Sequence, residues 1–197
     1  ARNVVVGNQY ACGSDFTHYD PSLLIGQEVS GQTIGIVGMG RIGLQVARRA
    51  AAFDMKVIYH NRKPRQPDDS EPKADYVSFA ELLRNADFVV LNCPLTEETT
   101  GMMGAAEFQQ MKSSAILINM ARGPVVQTDA LLNALLVKEI HAAGLDVTDP
   151  EPLPRDHPLL RQDNVIVTPH LGSASVVARR SMMQRTVDNL VAGIEGR

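Results

Sequence analysis

The stretch Ile34-Gly35-Ile36-Val37-Gly38-Met39-Gly40-Arg41-Ile42-Gly43 is the key to the architecture of this 197-residue chain. Ile34–Val37 reads as a short buried strand, and Leu44-Gln45-Val46-Ala47-Arg48-Arg49-Ala50-Ala51 as the helix that follows. Strand, glycine turn and helix in that order form the fingerprint of a dinucleotide-binding unit. Gly38 permits the tight turn, Gly40 lets the backbone approach a pyrophosphate, and Gly43 lets the helix lie close to the sheet. Amides around Arg41 and Ile42 then face phosphate oxygens, assisted by the helix dipole. A bare GxGxxG is also met in turns that bind nothing; the strand before it and the helix after it favour binding.

From Gly31 onward, apolar runs alternate with helical patterns. The runs are 34–37, 57–59, 88–91, 115–118, 142–147 and 165–167. They are short and almost continuously apolar, as strands buried on both faces are. Ser78-Phe79-Ala80-Glu81 opens a short helix with a capping box, and Ala105 to Met111 is a second helix candidate. Thr128 is the expected cap of a third, over 129–137, with Leu131, Leu132, Leu135 and Leu136 on one face. Six strands with crossover helices predict an α/β, doubly wound parallel sheet of the Rossmann type. The organisation expected is an N-terminal arm over 1–30, a nucleotide-binding domain over 31–173 and a C-terminal helix over 174–197. That helix, with Val177, Met182, Met183, Val187, Leu190 and Val191 at near-helical spacing, is expected to pack on its own domain. In the arm, Val4-Val5-Val6 reads as a short strand or a helix edge. Lys63 to Asp75, with Pro64, Pro67 and Pro72, reads as a solvent loop.

Bulk properties narrow the class. Hydrophobic residues make up 44% of the chain, enough for a sizeable core. The net charge of -3, with both signs dispersed, lacks the basic stripe of a nucleic-acid binder. No apolar run has the length of a membrane span. The two cysteines, Cys12 and Cys93, fit a reducing, cytoplasmic setting, and Cys93 reads as a buried free thiol. No metal site is expected, because no cysteine or histidine pair has ligand spacing. Both ends read as cut from a longer chain, so a targeting segment ahead of Ala1 stays open.

The end of the second strand addresses the cofactor. An acidic residue here accepts a hydrogen bond from the ribose 2′-hydroxyl of NAD and repels a 2′-phosphate. This chain has the neutral Asn61, followed by Arg62, Lys63 and Arg65. Guanidinium groups grip phosphate with paired, charged hydrogen bonds, so the corner predicts NADP(H), with NAD(H) as the alternative. The competing reading is a solvated basic corner.

Three later segments put charged or titratable residues where a strand gives way to a loop. They are Asn119-Met120-Ala121-Arg122-Gly123, Gly144-Leu145-Asp146-Val147 running into Asp149-Pro150-Glu151-Pro152, and Thr168-Pro169-His170-Leu171-Gly172-Ser173. Ligands of open α/β sheets bind at that carboxyl edge. With the glycine fingerprint and Asn92-Cys93-Pro94-Leu95-Thr96, these segments resemble the D-isomer-specific 2-hydroxyacid dehydrogenases over residues 31–197. Within that family, Tyr59-His60-Asn61-Arg62-Lys63-Pro64-Arg65 and Glu151-Pro152-Leu153-Pro154 are most similar to glyoxylate and hydroxypyruvate reductases; 2-ketogluconate reductases are the neighbouring alternative.

The resemblance implies the roles. Arg122 binds the substrate carboxylate and polarises the 2-keto group; His170 is the general acid; Glu151 pairs with His170 and favours the protonated imidazole. Asp146 faces the nicotinamide carboxamide. Cys93, Pro94 and Thr99, Met120 and Ala121, and Gly172 and Ser173 complete the cofactor contacts, and His60 lies toward the adenine side. Prolines 150, 152, 154 and 158 stiffen the Glu151 loop. The family's substrate domain is built mainly from residues preceding the nucleotide domain, so this chain alone is expected to bind cofactor with little or no turnover. A homodimer, with contacts through the arm and first helices, and a small 2-keto acid substrate are implied likewise. A corepressor-like, nucleotide-sensing scaffold of the same fold is the alternative from another class; the neutral Asn61 separates the two, since those corepressors resemble NAD binders with an acid there.

Overall fold

The computed structural model describes residues 1–66 and 70–197, so Pro67 of the expected solvent loop lies outside the described residues. Helix α1 (Val4–Ala11) precedes a parallel sheet of seven strands. These are β1 (Thr33–Val37), β2 (Lys56–His60), β3 (Asp75–Tyr76), β4 (Phe88–Leu91), β5 (Ile116–Asn119), β6 (Ala142–Leu145) and β7 (Val165–Val167). Helices α2 (Arg41–Ala51), α3 (Phe79–Asn85), α4 (Ala105–Phe108) and α5 (Thr128–Leu136) lie between strands, and α6 (Val176–Ile194) ends the fold. The order β3-β2-β1-β4-β5-β6-β7 reverses direction between β1 and β4, which opens a crevice at the carboxyl edge there.

Period-two alternation divides the core in two. Ile34, Ile36, Val57, Tyr59, Phe88 and Val90 face the side where Leu44, Ala47 and Ala50 of α2 pack. Their neighbours Val37, Ile58, Val89, Leu91 and Leu117 face Leu82 and Leu83 of α3, Phe108 of α4 and Leu131 of α5. Ser78 caps α3 by accepting a hydrogen bond from the Glu81 amide at 3.2 Å.

The ends of the strands are flush. Val37 is opposite both His60 and Leu91, Leu91 is opposite Asn119, Asn119 opposite Leu145, and Leu145 opposite Val167. The first residue past each of β1, β4, β5, β6 and β7 then donates to the last residue of a neighbouring strand. Gly38 donates to His60 O (3.0 Å), Asn92 to Val37 O (2.8 Å), Met120 to Leu91 O (3.2 Å), Asp146 to Asn119 O (3.1 Å) and Thr168 to Leu145 O (2.8 Å).

Four expectations need correction. The sheet has a seventh strand, β3, whose two exposed residues pair with Ile58 and Tyr59 of β2 and carry no apolar pattern. Thr128 is the first residue of α5 rather than its cap; its hydroxyl donates to Asp149 O at 3.0 Å, bracing another loop. In α5 the apolar face is narrower than expected: Leu131 and Leu135 are buried, whereas Leu136 is 57% exposed. Helix α6 buries none of its residues, and Val177, Met183 and Leu190 are largely exposed. The apolar period specified a helix but carried no information on what it packs against.

Gly38 has no room for a side chain and a backbone that suits none. Its φ of +96° lies outside the range of ordinary side chains, and a Cβ there would sit 2.6 Å from the Cys93 amide nitrogen and 2.7 Å from the Asn92 carbonyl carbon. Both obstacles are backbone of β4's continuation, held by the edge hydrogen bonds. Gly38→Ala is therefore expected to lower stability by about 2–4 kcal/mol, read as a fall in the urea midpoint at unchanged slope. A midpoint within error of the parent would show that the turn is not held against β4.

Candidate functional site

The glycine turn, the end of β2 and the loop after β4 enclose a cleft of about 850 Å³, within the size range of small-molecule sites. Its floor is Gly38, Met39 and Gly40; one lip is His60, Asn61, Arg62 and Lys63, and the other is Pro94, Thr96, Glu98 and Thr99. Cys93 and Met102 line the interior, where burial pushes the Cys93 thiol above its ordinary range. His60 holds Val77 O through Nδ1 at 3.0 Å, and its ring stacks on Tyr76.

These residues fit a dinucleotide. Among the described residues no side chain caps α2, so the first amides of Arg41, Ile42 and Gly43 lack an intrahelical acceptor, at a helix end that begins directly after Gly40 of the cleft floor. A Cβ on Gly40 would meet nothing within 4 Å, so the absence of a side chain there serves the cleft and not the packing. A Cβ on Gly43 would collide with Gly38 O, so the third glycine lets α2 rest on the turn. Inside the cleft, the amide nitrogen and oxygen of Asn92 are buried without a hydrogen-bond partner among the described residues, an unmet demand in a site shaped for a polar ligand.

At the β2 lip, Asn61 Oδ1 accepts the Met39 amide at 2.7 Å. Its Nδ2 offers two donors to a ligand, and Oδ1 keeps a second lone pair. Arg65, grouped with the basic corner in the sequence, is otherwise engaged. Its Nη2 forms a two-pronged pair with Glu71 at 2.8 and 2.9 Å, and its Nη1 donates to Met39 O at 3.2 Å. Asn61 and Arg65 thus hold the two ends of the Met39 residue, and Arg65 braces the turn instead of offering a free charge. At the other lip, Thr99 Oγ1 donates to Pro94 O at 2.7 Å and accepts the Thr96 amide at 2.8 Å, locking the loop.

The chemistry-bearing residues emerge from β5, β6 and β7, along the same edge. Asn119, 1% exposed, accepts the Ala121 amide at 3.0 Å and donates to Arg122 O at 3.0 Å, closing the turn that presents Arg122. The Arg122 side chain is exposed and one of its nitrogens donates to Ala121 O at 2.7 Å. Gly123 must be glycine, since a Cβ would strike the Thr148 carbonyl. Glu151 stands on a loop anchored by the buried Leu153 and Leu159, with cis peptide bonds before Pro150 and Pro152. His170 Nδ1 lies 2.8 Å from Glu151 Oε1, with both side chains nearly half exposed. Met120 and Gly172 come together where a Cβ on Gly172 would be 3.4 Å from Met120 Cε. Ser173 accepts the Ser175 amide and leads into α6.

Asp146, 6% exposed, is the brace of the imidazole turn. Its Oδ1 accepts the Thr168 hydroxyl (2.5 Å) and the Leu171 amide (2.7 Å), and its Oδ2 accepts the Gly172 amide (2.8 Å). Burial alone would raise its pKa; the three hydrogen bonds, with the nearby His170, outweigh it and hold the carboxyl below its usual range. The sequence singled out Asp146 and Asn119 in their motifs but carried no sign that their side chains bind backbone. Asn92, Thr96, Glu98 and Met102 were missed as cleft residues; only their place in the loop after a parallel strand could have marked them. Among the described residues no group of three histidine, cysteine, aspartate or glutamate side chains is arranged to hold a metal, and no helix is long and apolar enough to cross a membrane.

A sequence model of the D-isomer specific 2-hydroxyacid dehydrogenase NAD binding domain matches residues 1–172. The chain is 46% identical over 198 residues to glyoxylate/hydroxypyruvate reductase B of Salmonella newport, covering 100% of this chain and 61% of that protein. It is 44% identical over 193 residues to glyoxylate reductase of Korarchaeum cryptofilum, covering 98% and 58%. Among solved structures, the TT0316 protein of Thermus thermophilus superposes with a TM-score of 0.93 at 47% identity, covering 100% of this chain and 61% of that one. The chain thus spans between about half and three-fifths of the length of the curated relatives it matches.

Asp146→Asn would place an amide NH₂ against either a backbone N–H or the Thr168 hydroxyl. The expected cost is about 2 kcal/mol in urea unfolding at neutral pH. A carboxyl held low when folded adds stability that is complete above its unfolded value of about 3.9 and is lost as pH falls through the folded value. The difference between parent and variant is therefore expected to shrink on acidification below about pH 4. A gap that is constant down to about pH 2 would contradict an ionised brace.

Proposed function

Because this chain belongs to the D-isomer specific 2-hydroxyacid dehydrogenase family, we propose that it is the cofactor-binding part of an NADPH-dependent reductase of a small 2-keto acid, glyoxylate or hydroxypyruvate, giving the D-2-hydroxy acid. The observation that carries the reading is the His170–Glu151 contact at 2.8 Å, on the same sheet edge as the dinucleotide cleft.

Bound nicotinamide cofactor supplies the hydride. Glu151 at Nδ1 fixes a proton on that ring nitrogen, so the imidazolium carries its transferable proton at Nε2. His170 Nε2 delivers it to the oxygen of the 2-keto group. Arg122, permanently charged and planar, holds the substrate carboxylate and polarises the ketone. Asp146 supports the reaction by holding the turn on which His170 stands.

The NADPH preference rests on the β2 lip. Asn61 brings no negative charge to the lip and keeps two Nδ2 donors, which suit a phosphate. Arg62 and Lys63 line the same lip and add positive charge. A homodimer through the arm is supported by its exposed Val4, Val5, Phe16, Tyr19 and Ile25. A cytoplasmic setting is supported by two free cysteines.

Titration of the chain with NADPH and NADH is expected to show tighter binding of NADPH. Asn61→Asp combined with Arg62→Ala should reverse the order, shifting the ratio by about 10²-fold. Equal affinities in the parent would remove the preference.

In the full-length enzyme, NADPH oxidation with glyoxylate or hydroxypyruvate is expected to fall about 10²–10⁴-fold in kcat for His170→Ala. Arg122→Ala should also raise KM. Unchanged kcat in both variants would refute the assigned roles, and faster turnover of 2-ketogluconate would move the substrate to the sugar acids.

A further inference from the structure

The loops that carry Arg122 and Glu151 meet backbone to backbone. Gly123 directly follows Arg122, and a Cβ on it would strike the Thr148 carbonyl and lie 2.8 Å from the Asp149 nitrogen. Consecutive carbonyls on the approach to Glu151 are then held by threonine hydroxyls. Thr128 donates to Asp149 O at 3.0 Å, and Thr148 donates to Pro150 O at 2.9 Å. Thr128 belongs to the Arg122 side, as the first residue of α5. The turn that joins it to Arg122 is closed by main-chain bonds from Val125 to Arg122 O (3.2 Å) and from Val126 to Gly123 O (3.0 Å). The gap between the loops, lined by Thr128, Thr148 and Asp149 among others, is about 10 Å³, the lower limit for one water molecule. Glu151 reaches His170 Nδ1 at 2.8 Å. A continuous line of contacts thus runs from the Arg122 turn through Thr128 and the Glu151 loop to the imidazole.

We infer that Thr128 is a positioning residue for proton transfer: its hydroxyl fixes the Glu151 loop against the Arg122 turn, so that the group holding the substrate and the His170–Glu151 pair are set relative to each other as one unit. The inference rests on the roles given above to Arg122, Glu151 and His170. The pair needs an anchor of this kind, because both its side chains are nearly half exposed and such a contact contributes little to its own rigidity. Carbonyls of a loop lack the regular partners of a strand or helix, and a hydroxyl delivered from a neighbouring element restrains them without adding charge. Reacting groups must be held to within about 0.5 Å of their productive geometry. Two loops braced separately would drift against each other; the Thr128 bond and the Gly123 contact brace them mutually. Thr128 acts through Glu151 and takes no part in the bond changes.

The test reads the imidazole first and the reaction second. In this chain at fixed pH, the nitrogen chemical shifts of the His170 ring report its contact with Glu151. Thr128→Val removes the hydroxyl and keeps the volume; it is expected to move those shifts part of the way toward their values in Glu151→Gln, whereas Thr128→Ser should leave them at the parent values. In the full-length enzyme with NADPH and glyoxylate, Thr128→Val and Thr128→Ala are expected to lower kcat, counted per NADPH-binding site, about three- to tenfold. The Kd of NADPH should stay within about twofold, and Thr128→Ser should recover kcat to within about twofold of the parent. In the Glu151→Gln background Thr128→Val should cost nothing further. Counting per binding site removes any unfolded fraction, and Thr128→Ala carries the comparison where the valine variant does not fold. Unmoved His170 shifts, a serine variant as slow as the valine one, or the full loss of rate on top of Glu151→Gln would each overturn the positioning role. Failure of the underlying reading is seen separately, as a parent that does not turn over or a Glu151→Gln variant with unchanged kcat; the His170 shifts then still decide on the anchor.

Discussion

The register of the parallel sheet is the constraint on which the functional edge is built. Because the last residues of six strands are level, the six segments that follow emerge in one row. Each is then stitched to its neighbour by a main-chain bond one step beyond the ladder. A shift of one residue in any strand would exchange the two faces of its core and withdraw its loop from the row. The alternating burial on the two sides of the sheet therefore protects the site as well as the fold: the same side chains that exclude water fix the height at which Gly38, Arg122, Asp146 and His170 appear.

Polar residues on this edge divide into those that reach outward and those that hold backbone. Asn61 and Arg65 hold Met39, Asn119 holds the Arg122 turn, and Asp146 holds the His170 turn. Loops rarely fix their own backbone so closely, since their amides lack regular partners. A buried or half-buried side chain that binds one or two of those backbone groups supplies a local substitute for secondary structure. The outward residues Arg62, Arg122, Glu151 and His170 are then free to remain exposed.

The sequence revealed the elements whose physics is local. Strands buried on both faces are apolar runs, and the glycine turn and the Ser78 cap are written in a few consecutive residues. The two-residue β3 left no trace, because Asp75 and Tyr76 are exposed and their pairing to β2 is a matter of the tertiary path. Thr128 had the chemistry of a cap, and a competing acceptor, Asp149 O, took its hydroxyl. In the site, Arg122, Glu151 and His170 were legible from ordered motifs by resemblance, and the structure brings the last two into contact. What stayed hidden was which cations are committed: Arg65 and Arg62 look alike in sequence, and the pair with Glu71 on the first is what tells them apart.

The energetics of the His170 turn argue that it is shaped for work and not for stability. His170 has φ of +55°, a left-handed conformation that costs a non-glycine residue on the order of 1 kcal/mol. Its ion pair with Glu151 is nearly half exposed on both sides, where such pairs contribute between about 0 and 1 kcal/mol. The pair therefore does little more than offset the backbone it stands on. The conformation persists because Asp146 binds the amides of Leu171 and Gly172, and Asp146 O accepts the amide of His170 itself. The left-handed residue turns the chain back on the Asp146 carboxylate while leaving the imidazole in the open, beside a carboxylate that orients it. A more stable turn would place a glycine at 170 and lose the imidazole; the strain is what remains visible of that choice.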